Sequence, residues 1–473
     1  TVCVMFLVGP FLVSETGKAP EGLRHRWGIL SLLALAAAMF AWMKAPILDA
    51  GAGPFRPDEL VWFVRGISLV FGILLTLVLW DQIDDGHSAE AHACLLAILA
   101  GANFVALAND LVGVFLGLEL VSIPTYILLY LARRDWMTNE ATIKYFLLSI
   151  FSSAFVLYGL SWVFGIAGTT NLTAISERIA TASATTHLGM FRLAMVLIIA
   201  GLSFRITAVP FHFYAPDVFQ GVTTSSAAML SFVPKIVGFT ALLRLLPVCF
   251  GSADFADWMP VGAVRVVLMV LAILTMFVGN LLALRQTSLM RLLAYSSIAH
   301  AGYMLVGLTV GNSSTGTSGV ASLLFYLSMY GIMTIGLFAL ITAAGSFARP
   351  LRSLTDLAGL SRSHPAIALM MAICLIGLSG LPPTGGFLAK LNLFFAAWSE
   401  GTADGRLLAI TLAVNAVIAA AYYLRMISAM YFEQSTEVRG PSRQPAAWIA
   451  GCVCAVATLA LFMVPQPLWD AAV

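Results

Sequence analysis

The sequence predicts an all-α polytopic membrane protein with about fourteen transmembrane helices, and three observations carry that prediction. Hydrophobic residues make up 60% of the 473 and charged ones only 10%, against roughly 25% charged in a soluble globular domain. Apolar runs of about twenty residues, the length that crosses a bilayer as a helix, recur from end to end. The runs lack the in–out alternation of a membrane barrel, so their backbone polar groups must be satisfied within helices.

The apolar runs fall near residues 1–13, 27–43, 61–80, 91–108, 110–131, 143–165, 190–208, 218–246, 263–284, 291–310, 319–346, 365–398, 407–430 and 446–464. The first, TVCVMFLVGPFLV, starts without Met and is too short to span alone, so a truncated first helix is expected, and no cleavable signal peptide is legible. The chain reads as one membrane domain. Residues 1–90 hold the first three helices, 91–246 and 263–432 two larger units, and 446–464 a last helix.

Connections after odd-numbered runs carry 15 of the 25 Lys and Arg residues, among them Lys18, Arg133, Arg134, Lys144, Arg205, Arg291, Arg349, Arg352, Arg439 and Arg443. By the positive-inside rule those connections face the cytoplasm and both termini face outward. The acidic loop Asp81–Glu90 runs against that pattern. Net charge is only +2 and names no partner beyond the lipid bilayer; nothing points to nucleic acid.

Three cations lie inside apolar runs. Arg244, close to a helix end, is expected to snorkel to the interface. Lys235, in MLSFVPKIVGFTALL, is near the middle of its run and Lys390 follows a break in its own; a midplane lysine costs about 3 kcal/mol on insertion scales and marks a polar pathway or a buried partner. Glu119, in VFLGLELVSIPTYILLYL, is an acid in the same predicament.

Two runs are interrupted. Pro210 and Pro216 break TAVPFHFYAPDVFQG, and Pro382, Pro383, Gly385 and Gly386 break LSGLPPTGGF. Each proline removes a backbone donor and turns the preceding residue away from helix. The breaks lie 172 residues apart, an odd number of spans, so the second unit is inverted relative to the first, and a lysine follows each. Paired interruptions of this kind point to inverted-repeat transporters, whose unwound backbone lines a polar cavity. Simple proline kinks in packed helices are the plainer alternative.

His212 and His300 have the side chain suited to proton transfer, although a buried histidine bonded to a carbonyl is as common. Asp217 is expected to cap the helix it begins, and Glu140 with Lys144 to form a surface i,i+4 pair. Ser149, Ser152, Ser153, Ser225, Ser226 and Ser231 either hold water or permit close helix packing. Asn312–Gly319 reads as an outward turn. The six cysteines, Cys249 among them, show no ligand spacing and read as core residues. No P-loop, dinucleotide fingerprint or haem pattern occurs, and no metal or cofactor is expected in this chain.

Five stretches resemble the antiporter-like membrane subunits of respiratory complex I, most closely the subunit N group: Ala108–Leu128, Glu140–Gly159, Val209–Gly221, Arg291–Leu308 and Leu381–Phe394. The resemblance implies a fourteen-helix fold with two inverted five-helix repeats and broken helices 7 and 12. It implies proton translocation driven by quinone reduction in other subunits, where NADH, FMN, iron–sulfur clusters and quinone bind. It also implies other membrane-arm subunits as partners, and the bacterial inner membrane as location. By position Glu119 is similar to the family's coupling acid, Lys235 to its central lysine and Lys390 to the lysine of the second broken helix, with His300 as a further relay candidate. Arg205 stands where the family has lysine, and unlike lysine it cannot release a proton. As a fixed charge it could pair with Glu119. The same charged file would suit an Mrp-type cation/proton antiporter or a ferredoxin- or F420-driven relative.

Overall fold

The computed structural model describes residues 1–13, 19–44, 53–131, 135–181, 188–248, 250, 260, 262–312, 317–345, 350–434 and 444–472. Lys18, Arg133, Arg134, Arg349, Arg439, Arg443, Cys249 and residues 313–316 of the predicted outward turn lie outside them. The chain runs through α1 (Val2–Val8), α2 (Leu23–Lys44), α3 (Glu59–Leu79), α4 (Ser88–Leu107), α5 (Leu111–Leu131), α6 (Trp136–Ala167), α7 (Leu172–Thr181), α8 (Leu188–Arg205), α9 (Ala215–Gly221) and α10 (Thr224–Val248). It continues through α11 (Gly262–Leu284), α12 (Leu289–Val310), α13 (Gly319–Ala344), α14 (Leu360–Ser363), α15 (Pro365–Ser379), α16 (Gly385–Ser399), α17 (Ala403–Phe432), α18 (Pro445–Met463) and α19 (Gln466–Ala472).

This is an all-helical, multi-pass membrane protein. Among the described residues eleven helices are long and apolar enough to cross a membrane, and α1 and α15 are shorter apolar helices. Every predicted apolar run coincides with a helix, within a few residues at most boundaries. Helix α7 is an addition: ten residues are too few to span, and no apolar run announces them.

The predicted run 218–246 begins instead at Thr224, because Val222 is extended and separates α9 from α10. Helices α10, α12 and α13 form the centre, wholly or almost wholly buried, whereas α2 and α18 are mostly exposed at the periphery. Lys235 and His300 sit on two of those central helices, so the fold buries them before any local packing is considered.

Both predicted breaks are present, and they share one geometry. Helix α15 ends at Gly380 with φ +79°; Gly380 N–H donates to Gly377 O and Leu381 N–H to Ile376 O, the two bonds of a Schellman cap. Helix α8 ends with Thr207 at φ +60°, Thr207 N–H donating to Phe204 O and Ala208 N–H to Ser203 O. The bonds are the same, but a β-branched residue in the left-handed region is strained, by about 1–3 kcal/mol. Prolines follow each cap and prevent the helix from resuming.

Three expectations are corrected by long-range contacts. Arg244 does not snorkel: its guanidinium is 4% exposed and pairs bidentately with Asp58 at 2.5 and 2.6 Å, while its Nε donates to Ala106 O. Asp217 is in the first turn of α9 but makes no cap bond. Its carboxylate takes Lys144 Nζ at 2.9 Å and Arg291 Nη1 at 2.6 Å. Arg205, counted among the loop cations, is the last residue of α8 and is buried.

Candidate functional site: a buried file of ionisable side chains

Glu119 projects from α5 toward α6 and α8. Ser153 Oγ donates to its carboxylate at 2.5 Å, and Arg205 Nη2 approaches the same oxygen at 3.5 Å. Arg205 also donates to Ser122 Oγ at 2.8 Å and Ser153 Oγ at 3.3 Å. Arg205 is 4% exposed and Glu119 26%, so the acid is the end of the cluster that reaches the molecular surface. It emerges on a face of α5 that also exposes Leu116, Leu120 and Ile123.

Lys235 lies deeper, at 0% exposure. Its ammonium donates to Ser297 Oγ at 2.5 Å and sits 5.7 Å from the centre of the Tyr330 ring; both partners are neutral. Tyr330 in turn donates to Ser297 Oγ at 2.9 Å and to Ser231 O at 3.2 Å. Gly238, one turn beyond Lys235, lets α8 and α10 close: a Cβ there would lie 2.5 Å from Ile206 Cγ2 and 3.4 Å from Arg205 Cβ.

His300 follows on α12. Its Nδ1 is 2.8 Å from Tyr326 Oη and its Nε2 3.0 Å from Tyr423 Oη, which also bonds Ser296. The imidazole faces the Tyr330 ring at 4.8 Å and the edge of Tyr303 at 5.6 Å. The histidine is thus held by two hydroxyls, each able to donate or accept, rather than by a carbonyl.

Lys390 closes the file on α16. Its Nζ donates to Leu378 O at 2.9 Å and Ser379 O at 2.8 Å and lies 4.9 Å from the centre of the Tyr303 ring. Those carbonyls end α15, where the helix dipole favours a cation. Gly380 makes the fit possible, since a Cβ on it would stand 2.6 Å from Lys390 Cδ. Tyr303 Oη accepts from Asn280 Nδ2 at 3.0 Å, and Asn280 joins Asn415 and Tyr422.

The structure therefore gathers Lys235, His300 and Lys390 around one group of tyrosines, and Glu119 with Arg205 in a neighbouring cluster. His212 lies outside both: it is in the segment between α8 and α9, with Nδ1 buried and without a hydrogen-bond partner. Glu140 and Lys144 pair at 2.7 Å, as expected of an exposed i,i+4 pair. Of the serines, Ser153 and Ser149 serve side chains (Glu119 and Tyr126), Ser152 and Ser231 bond backbone carbonyls, and Ser225 and Ser226 join Thr223. The tyrosines are what sequence reasoning missed. Their signal was the choice of Tyr over Phe in apolar helices, since a buried hydroxyl demands a partner. No group of three or more metal-ligating side chains occurs among the described residues.

A family model for the transmembrane region of NADH:quinone oxidoreductase and Mrp antiporters matches residues 108–418. The NADH-quinone oxidoreductase subunit N of Trichlorobacter lovleyi is 41% identical over 92% of this chain and 87% of its own length. The chain belongs to the subunit N family. A chain of respiratory complex I from Thermus thermophilus superimposes with TM-score 0.79 at 30% identity, over 100% of this chain and 97% of its own. A chain of the Mrp complex from Dietzia reaches TM-score 0.80 at 19% identity, covering 100% of this chain and 95% of its own; that likeness is one of fold. The subunit N match spans both broken helices and all five residues of the file.

Proposed function

We propose that this chain is the proton-translocating subunit N of a bacterial NADH-quinone oxidoreductase, and that Glu119, Arg205, Lys235, His300 and Lys390 form its relay. The supporting observation is the setting of Lys235: a fully buried ammonium whose partners are a hydroxyl and a ring face. Such a cation can hand a proton to its hydroxyl without breaking an ion pair. Ser297 bonded to Tyr330, and His300 bonded to Tyr423 and through it to Ser296, then offer donor–acceptor groups toward Lys390. Three contacts in the file, Tyr330 with His300, His300 with Tyr303 and Tyr303 with Lys390, are ring contacts, so passage there requires a side-chain rotation or a water.

In this reading Glu119, at the surface end, receives the signal. Arg205 holds its negative charge in place and carries no proton itself. A change of charge at one member alters the electrostatic field at the next. NADH, FMN, iron–sulfur clusters and quinone belong to partner subunits of the same complex, in the bacterial inner membrane.

The two units between residues 91 and 432 are proposed as inverted repeats. The contacts of α4–α5, α5–α6, α6–α8, α6–α9 and α8–α10 recur as α11–α12, α12–α13, α13–α15, α13–α16 and α15–α17, which supports that pairing. Lys235→Ala is expected to reduce NADH-driven proton pumping strongly in the assembled complex; normal pumping by a normally assembled variant would overturn the relay. Glu119→Gln is expected to impair coupling, and unaltered quinone-linked pumping would remove the acid from it.

A further inference from the structure

A cleft of about 530 Å³ lies apart from the relay, where the two units meet beside the Asp217–Arg291 ion pair. One wall comes from the first unit, through Gln220 and the apolar Met137. The other comes from the second, through Thr287, Ser288, Arg352, Ser353 and Thr355. That second wall is built rather than loose. Ser288 and Ser353 form a bridge between the two connecting segments, with Leu289 N–H donating to Arg352 O at 2.8 Å and Leu354 N–H to Thr287 O at 3.1 Å. The Asp356 carboxylate accepts from the Arg352 and Ser353 amides at 2.8 Å each and fixes the turn.

The donors in this cleft outnumber its acceptors. The Arg352 guanidinium has no carboxylate partner among the described residues, the Thr287 hydroxyl lines the wall, and Ser288, whose hydroxyl donates to Arg352 O at 3.4 Å, leaves the first turn of α12 without a side-chain cap. Gln220 already accepts from Arg291 Nη1 at 3.1 Å, which leaves its amide NH₂ free to donate. No carboxylate lines the cleft. Fixed donors with a guanidinium and an uncapped helix start suit a tetrahedral oxyanion.

We propose that this cleft binds a phosphate group, held by Arg352 and Thr287 on one side and Gln220 on the other. A bound phosphate would tie the two units together next to the Asp217–Arg291 pair, on the end expected to face the cytoplasm. The group can belong to a phospholipid at the membrane surface or to inorganic phosphate. Imaging of the assembled complex separates the sources: delipidated complex in phosphate buffer against complex with added phosphatidylglycerol in phosphate-free buffer. Tetrahedral density in the cleft of either sample supports the site and names the source, and Arg352→Glu is expected to abolish it. Gln220→Leu, which leaves the guanidinium in place, should weaken it. An empty cleft in both samples, or density that persists unchanged in a normally assembled Arg352→Glu complex, would overturn the proposal.

Discussion

The two helix breaks end in the same cap but treat the exposed helix terminus differently. At the second break the left-handed residue is Gly380, and Lys390 reaches across to bond the last carbonyls of α15. At the first it is Thr207, and a neutral hydroxyl, Tyr214 Oη, bonds Phe204 O at 2.9 Å. The cation of the first break, Arg205, turns sideways to Glu119 instead. One break therefore holds a protonatable cation on a dipole, and the other a permanent cation on an acid. The same backbone solution serves two electrostatic purposes.

Substitutions at the caps probe that difference. Gly380→Ala should destabilise the chain by about 2 kcal/mol or more, from the left-handed penalty and the clash with Lys390; an unchanged melting temperature in detergent would mean the second break relaxes freely. Tyr214→Phe should cost about 1 kcal/mol by removing one of the two hydrogen bonds that the Phe204 carbonyl accepts, the Thr207 N–H bond remaining, and no change in denaturation midpoint would detach that hydroxyl from the cap. Thr207→Gly should raise stability by up to about 1 kcal/mol as the strain is released, the opposite sign from Gly380→Ala; a loss would show that the Thr207 side chain matters more than its backbone. Glu140→Ala, at an exposed pair away from both caps, should shift stability by only about 0.3–0.5 kcal/mol. A larger shift would mean that Lys144 needs Glu140 to hold Asp217.

The contrast also separates what the sequence could reveal from what it could not. Helices, breaks and the burial of Lys235 and Lys390 were legible because each depends on local composition: apolar length, proline spacing, a cation far from any polar residue. The Thr207 cap was hidden, since threonine carries no sign of the left-handed region that glycine does. Arg244 was misread because its partner, Asp58, lies 186 residues away. Asp217 was misread likewise, its partners being 73 and 74 residues distant. The tyrosine cage around His300 draws on α12, α13 and α17, and no spacing within one helix announces a convergence of three.

The central claim is that the second break carries a proton whereas the first carries only a charge. Lys390→Arg tests it most directly, because a guanidinium can still bond the Leu378 and Ser379 carbonyls but cannot release its proton. Protons moved per NADH oxidised would be measured in proteoliposomes of the assembled variant complex. The account predicts continued quinone reduction with a lowered proton yield; a full proton yield would contradict it.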